Sequence, residues 1–198
     1  QEVVNVCASI DSLEKTKALM EKYSFVYGAF GIHPDDAELV TEEVLDKIRE
    51  CCGLEKAVAV GEIGLDYYWH KEAGEHELQK KVFRQQMEIA RELHMPFMVH
   101  SREAAADTLD LVKDCVNRGM YGGIIHCFSY GKEMAREYLN MGLYLGIGGV
   151  VTFNNARKVK EVVEYAPLEQ IVLETDSPYL SPVPYRGKRN CSLNLPLV

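Results

Sequence analysis

Four short apolar runs in this chain each lead into a residue type that binds metals, and this pattern limits the fold more than any other feature. Ile171, Val172 and Leu173 run into Glu174-Thr175-Asp176, and Ser177-Pro178 stops the element. Residues 57–60 lead to Glu62, residues 97–99 to His100, and residues 124–125 to His126. An apolar, β-branched run buried on both faces belongs to a parallel sheet. Such sheets collect functional side chains at the C-terminal ends of their strands.

The rest of the chain repeats the same unit. Strand-like runs at 3–8, 25–32, 57–60, 97–99, 123–127, 143–151 and 171–173 alternate with helical periodicity. Asp11 reads as the N-cap of a capping box with Glu14, followed by Leu13, Thr16, Leu19, Met20 and Tyr23 on one face. Thr41 caps a helix facing inward through Val44, Leu45, Ile48 and Cys52, and Gly53 ends it. The aromatic run Tyr67-Tyr68-Trp69 opens a polar loop through Gly74, and a long helix follows. Further helices are expected at 104–116, at 132–141 capped by Gly142, and at 156–165 closed by Pro167. Alternating βα units imply a parallel sheet in an α/β fold.

Two closures satisfy that pattern, a doubly wound open sheet and a TIM-like (β/α)8 barrel. Ligand-type residues on several well-separated strand ends favour the barrel, because all its strand ends face one central mouth. Glu62, His100, His126 and Asp176 are then expected in a single pocket. Seven strands fit a barrel whose first βα unit precedes Gln1, and residues 192–198 form an apolar tail with no helix after it. The expectation is one barrel domain over residues 1–198, truncated at both ends.

Composition narrows the partners. With 47% apolar residues, 198 residues can bury a sizeable core. A net charge of −8 argues against a protein that coats nucleic acid, though not against one that grips a strand end through local basic residues. The six cysteines form no CxxC pair, which suits a reducing cytoplasm, and Cys7, Cys115 and Cys127 lie in apolar runs. No export signal and no apolar run near ~20 residues is present, so no membrane association is expected.

A lone histidine at a strand end is more often a satisfied polar residue than a ligand. Two histidines and two carboxylates at four strand ends are a mixed N/O donor set suited to Zn²⁺, Mn²⁺ or Mg²⁺. His33-Pro34 closes another strand, whereas His70, His76 and His94 read as surface groups. Asp66 reads as a loop cap or a support to the ligands, and Glu174 as a partner of Asp176 or of a cation. Arg102, Arg157, Lys158 and the cationic loop Arg186-Gly-Lys188-Arg189 lie near strand ends, where phosphate contacts are reasonable. Tyr67, Tyr68, Trp69 and Phe153 either stack on bases or cap the rim.

Six ordered motifs carry a resemblance: Gly31-Ile-His-Pro34, Gly61-Glu-Ile-Gly-Leu-Asp66, Val99-His-Ser-Arg102, Ile125-His-Cys-Phe-Ser129, Leu173-Glu-Thr-Asp-Ser-Pro178 and Arg186-Gly-Lys-Arg-Asn190. Together they resemble the TatD family of metal-dependent deoxyribonucleases, barrels of the amidohydrolase superfamily. The resemblance implies divalent-metal-dependent 3′→5′ exonucleolytic hydrolysis of DNA, with up to two ions. It implies Glu62 as a bridging carboxylate, His100 and His126 as ligands, and Asp176 as ligand and base for water. His33 matches a position proposed to contact substrate. The family's first-strand His-x-His pair has no counterpart in this chain, and its natural place is ahead of Gln1. Tyr130 and Asp35 depart from the usual residues of their motifs. Rival readings are an amidohydrolase or D-aminoacyl-tRNA deacylase using the same ligands, and an inactive fragment lacking the His-x-His strand.

Overall fold

The computed structural model describes residues 2–120 and 122–198. The chain divides into two compact units, residues 1–123 and residues 124–198.

The first unit carries β1 (Val3–Val6), α1 (Ile10–Lys22), β2 (Val26–Phe30), α2 (Glu42–Cys52), β3 (Ala57–Asp66), α3 (Ala73–Glu92), β4 (Phe97–Arg102) and α4 (Ala105–Asn117). β1 pairs with β2, β2 with β3 and β3 with β4, all parallel. Phe30, Ile32, Ile63, Leu65, Phe97 and Val99 from the strands, with Ile48, Phe83, Met87 and Ile89 from the helices, are buried and form the core. Apolar residues at helical spacing on α2 and α3 meet apolar residues of the strands, as a helix layer on a parallel sheet requires.

The second unit begins one residue into β5 (Gly123–Ile125) and carries α5 (Lys132–Asn140), β6 (Tyr144–Ile147), α6 (Arg157–Tyr165) and β7 (Ile171–Leu173). β5 pairs with β6 and β6 with β7, again parallel. Ala135, Tyr138, Leu143, Leu145 and Val162 fill its interior.

Every strand and helix expected from the sequence is present, with informative differences at the ends. β3 runs ten residues rather than four, so Glu62 lies inside the strand and Asp66 at its end. The register slips by one residue between the pairs Val60–Phe97 and Ile63–Val99. At that bulge the Glu62 N–H turns away from β4 and donates to the Cys7 carbonyl. β6 is shorter than the 143–151 run, because Gly149–Thr152 tightens into a 3₁₀ turn. α1 starts earlier than expected: Ser9 is the N-cap and Ser12 closes the capping box, so Asp11 lies within the first turn. Ser12 Oγ at 2.9 Å from the Ser9 N–H does the work assigned to Glu14. The runs at 3–8 and 171–173 are not buried on both faces, since Val3, Val4 and Leu173 are exposed. Among the described pairings, β1 and β7 each have one hydrogen-bonded neighbour, which leaves their outer flank open.

Two glutamines of α3 tie the ends of β2 and β3 to the helix. The Gln86 amide accepts from the Ile32 N–H (2.8 Å) and donates to the Ile32 carbonyl (3.0 Å). Seven residues earlier, on the same face, Gln79 does the same for Asp66, at 2.9 and 3.2 Å. Both glutamines are buried, and their primary amides stand in for backbone partners where the ladder stops. They hold the residue before His33 and the residue that ends β3. Gln86→Leu is expected to lower the unfolding free energy by about 3 kcal/mol, from about 1–3 kcal/mol for each buried backbone group left unpaired. Urea unfolding measures the change, and a loss below about 1 kcal/mol would show that water replaces the amide.

Candidate active site

In the first unit, His33, Glu62 and His100 offer ligand atoms that all lie within 4.8 Å of one another. His100 closes on two carboxylates, with Nδ1 2.9 Å from Glu62 Oε1 and Nε2 3.1 Å from Asp66 Oδ2. The His33 ring sits edge-on to His100 with centroids 4.3 Å apart, and its Nε2 is 3.9 Å from Glu62 Oε1. His33 also caps the 3₁₀ turn Pro34–Leu39, its Nδ1 accepting from the Asp35 N–H.

Asp66, only 1% exposed, is the anchor of this cluster. One oxygen holds His100, and the other accepts from the N–H groups of Tyr68 (2.8 Å) and Trp69 (3.3 Å). Gly64 makes the approach of β3 to β4 possible. Its φ is +146°, and a Cβ there would lie 2.0 Å from the His100 carbonyl oxygen.

Charge follows geometry. Burial opposes protonation of His100, but its hydrogen bonds to Asp66 and Glu62 outweigh that and raise its pKa to about 8. Burial and the neighbouring His100 hold His33 below its ordinary value of 6.5. Burial would raise Asp66, yet the His100 bond and the two backbone N–H groups bring it below the usual carboxylate range. A carboxylate on Nε2 orients the ring so that Nδ1 faces Glu62. Two lone-pair atoms 2.9 Å apart need a positive centre between them, and a proton satisfies both. A divalent cation satisfies the same two atoms, so this donor set fits a metal with its histidine oriented by an outer carboxylate.

The second unit repeats the arrangement. His126 Nδ1 donates to Glu174 Oε2 at 2.6 Å, and His126 Nε2 lies 3.7 Å from Asp176 Oδ1. Glu174 Oε1 also accepts from the Cys127 N–H at 2.9 Å. Glu174 therefore orients His126 rather than pairing with Asp176 alone. His126, Cys127 and Glu174 themselves have ligand atoms within 4.8 Å of one another. Cys127 is half-buried beside this cluster and not simply a small apolar filler. It and Asp176 adopt left-handed φ values of 45° and 52°, a conformation uncommon outside glycine. Gly146 on β6 makes room, since a Cβ there would lie 2.6 Å from Glu174 Oε2.

The basic residues expected at the site sort into three groups. Arg102 ends β4 with its guanidinium 3.9 Å from the Tyr68 ring centroid. Arg186 lies over Phe153 at 4.3 Å, and with Lys188 and Arg189 it stays exposed on the loop after Asp176. Asn190 pins that loop by donating to the Thr175 carbonyl at 2.6 Å. Arg157 is 89% exposed on α6 and paired with Glu161 at 2.7 Å, so a phosphate there would have to compete with its own helix partner. His70 and His76, read from sequence as surface groups, knit the loop instead. His70 bridges Glu75 and Asp35, and His76 meets the His70 carbonyl and stacks on Tyr67.

Asp66 fills both of the roles read for it, loop cap and support of a ligand, whereas Glu174 holds His126, a partner its sequence reading did not name. The one local signal was their type and place, a carboxylate at or just past a strand end.

Comparison with known proteins places the chain in a class. The TatD-related DNase family matches residues 1–198. The chain is 45% identical over 179 residues to "Uncharacterized metal-dependent hydrolase YabD" of Bacillus subtilis, covering 90% of this chain and 69% of that protein. It is 33% identical over 175 residues to "3'-5' ssDNA/RNA exonuclease TatD" of Cronobacter sakazakii, covering 88% and 65%. The crystal structure of YJJV, a TatD homologue from Escherichia coli, superposes with a TM-score of 0.87 at 27% identity, covering 96% of this chain and 72% of that one. The fold is of the TIM-like barrel class shared by those proteins. The chain belongs to the TatD-related DNase family, and with it to the metal-dependent hydrolases. It spans roughly two thirds of the length of these relatives. No described helix is long and apolar enough to cross a membrane.

Two outcomes follow from the geometry. With a chelator present, NMR titration is expected to show His100 losing its proton near pH 8 and His33 below 6.5. The folded value of His100 lies above its unfolded value. Its stabilising contribution is therefore complete below about pH 6.5 and fades as pH rises through about 8. Coincident titration of the two rings near 6.5 would contradict the Asp66–His100–Glu62 chain. Gly146→Ala is expected to push Glu174 off His126 and abolish the low-field Nδ1–H resonance of that ring, and a persisting resonance would count against the close packing.

Proposed function

We propose that this chain carries a divalent-metal-dependent phosphodiesterase site acting on single-stranded nucleic-acid ends, in the manner of a 3′–5′ exodeoxyribonuclease. The supporting observation is the repeated unit of one imidazole held by an outer carboxylate on one nitrogen and turned toward a second carboxylate on the other. Glu62 and His100 in the first unit, and His126 and Asp176 in the second, would hold the cations, one or two, from among Zn²⁺, Mn²⁺ and Mg²⁺. A bound cation would polarise a phosphoryl oxygen and acidify water at neutral pH.

The chain's own residues supply the rest. Asp66 and Glu174 fix their rings, so that ligand atoms need no rearrangement. Asp176, whose Oδ1 lies 3.7 Å from His126 Nε2, is the group to take a proton from the attacking water. Water oxygen bonds to phosphorus as Asp176 takes its proton, the P–O3′ bond breaks, and the leaving O3′ takes up a proton from solvent water. Arg186, Lys188 and Arg189 lie on the loop after Asp176 and would neutralise the phosphate. In the first unit, His33 and Arg102 are the candidates for substrate contact. The Cronobacter relative's name, a 3'-5' ssDNA/RNA exonuclease, agrees with this substrate class.

Asp176→Asn is expected to lower Mn²⁺-dependent release of mononucleotides from single-stranded DNA by about 10²–10⁴-fold, the range of a lost general base. Circular dichroism should show the fold unchanged. Full activity in that variant would remove Asp176 from the reaction. Turnover of ester or amide substrates with DNA left intact would overturn the phosphodiesterase reading.

A further inference from the structure

The β3–α3 loop presents an aromatic surface that the folding of this chain does not consume. Trp69 is 65% exposed and Tyr68 38%, beside the end of β4. A large bare indole costs solvation free energy, and such surfaces on otherwise well-packed proteins mark binding sites. The loop beneath it is tightly built. Asp66 Oδ1 accepts from the Tyr68 and Trp69 N–H groups, the Tyr67 N–H donates to the Arg102 carbonyl (2.9 Å), and Lys71 Nζ donates to the Tyr67 carbonyl (2.9 Å). The Tyr67 hydroxyl donates to Asp107 at 2.7 Å. The backbone is fixed while the Trp69 indole stays largely exposed, and the Tyr68 ring carries the Lys71 ammonium 5.4 Å from its centroid.

The side chains above it are ordered as well. Tyr68 and Trp69 meet edge-on, with centroids 4.6 Å apart and planes at 85°. The Arg102 guanidinium lies 3.9 Å from the Tyr68 centroid and 5.7 Å from that of Trp69. An indole, a phenol ring and a planar guanidinium in one patch are the three planar groups on which nucleobases stack. A guanidinium lying over a ring keeps its N–H edge for a phosphate oxygen.

The position is what gives the patch meaning. Asp66 holds Trp69 and Tyr68 through one carboxylate oxygen and His100 through the other. A single buried side chain therefore sets the spacing between the aromatic patch and the His33–Glu62–His100 cluster.

We propose that Tyr68, Trp69 and Arg102 form a stacking shelf for one unpaired nucleobase of a nucleic-acid strand whose phosphate lies at the His33–Glu62–His100 cluster. The shelf rests on the phosphodiesterase reading for its substrate class. It favours single strands, because a paired base has its faces covered by its neighbours. It is indifferent to base identity, because every base has a π-face.

Trp69 is the chain's one tryptophan, so its fluorescence reports the shelf without any turnover. With chelator present, thymidine 5′-monophosphate is expected to quench it saturably, and 2-deoxyribose 5-phosphate is expected to leave it unchanged. Arg102→Met should shift the quenching midpoint to higher nucleotide concentration. In Mn²⁺, Trp69→Ala should raise KM on an oligothymidylate strand by about 5- to 150-fold, the equivalent of one stacked base. The KM difference between that strand and an abasic strand should disappear in the variant. Absent quenching, or equal quenching by the base-free sugar phosphate, would overturn the shelf. An unchanged KM in a Trp69→Ala protein with the wild-type unfolding midpoint would overturn it too. Quenching by the nucleotide in a protein that cleaves no DNA would leave the shelf standing and defeat the phosphodiesterase reading instead.

Discussion

A carboxylate holding one nitrogen of an imidazole is the interaction on which the remainder of this structure depends. Asp66 does it for His100 and Glu174 for His126. An imidazole free to rotate presents its second nitrogen over a wide cone. A ring held on one nitrogen presents the other in one direction, and the direction here is toward Glu62 in the first unit and Asp176 in the second. That constraint turns four polar residues into oriented donors. At His100 it also sets the proton balance, because the bonds to Asp66 and Glu62 raise its pKa to about 8 unless another cation takes the place of the proton.

The scaffold shows what such orientation requires. Gly64 lets the backbone of β3 approach the His100 carbonyl, and Gly146 leaves space for the Glu174 carboxylate. Gln79 and Gln86 supply the backbone partners missing where β3 and β2 stop pairing. The bulge between Val60 and Ile63 turns the Glu62 N–H off the β4 ladder and onto the Cys7 carbonyl just past β1. The exposed aromatic loop joins this economy through Asp66, whose second oxygen is committed to the Tyr68 and Trp69 N–H groups.

Much of this was legible in the residues. The apolar runs marked every strand, because a strand buried against helices needs little besides β-branched and aromatic side chains. Helical spacing and the caps at Thr41 and Gly53 marked the helices. The apolar runs drew attention to Glu62, His100, His126 and Asp176, although Glu62 and His100 lie inside β3 and β4 rather than at their ends. Local pattern misled where two nearby groups competed for one role. Ser9 won the N-cap from Asp11, with Ser12 closing the box at the same three-residue spacing that Glu14 offered Asp11. Val3, Val4 and Leu173 read as core but lie on strands with one described neighbour.

The order of strands and helices, and the donor types at the strand ends, were determined by sequence alone, since both depend on residues adjacent or within one helical turn. Which carboxylate holds which imidazole nitrogen was decided only in three dimensions. His100 meets Asp66 across 34 residues and Glu62 across 38, and His126 meets Glu174 across 48. Those distances are created by sheet register, a bulge and two glycines. A pattern in one dimension cannot encode them, because a slip of one residue turns the same side chain to the opposite face.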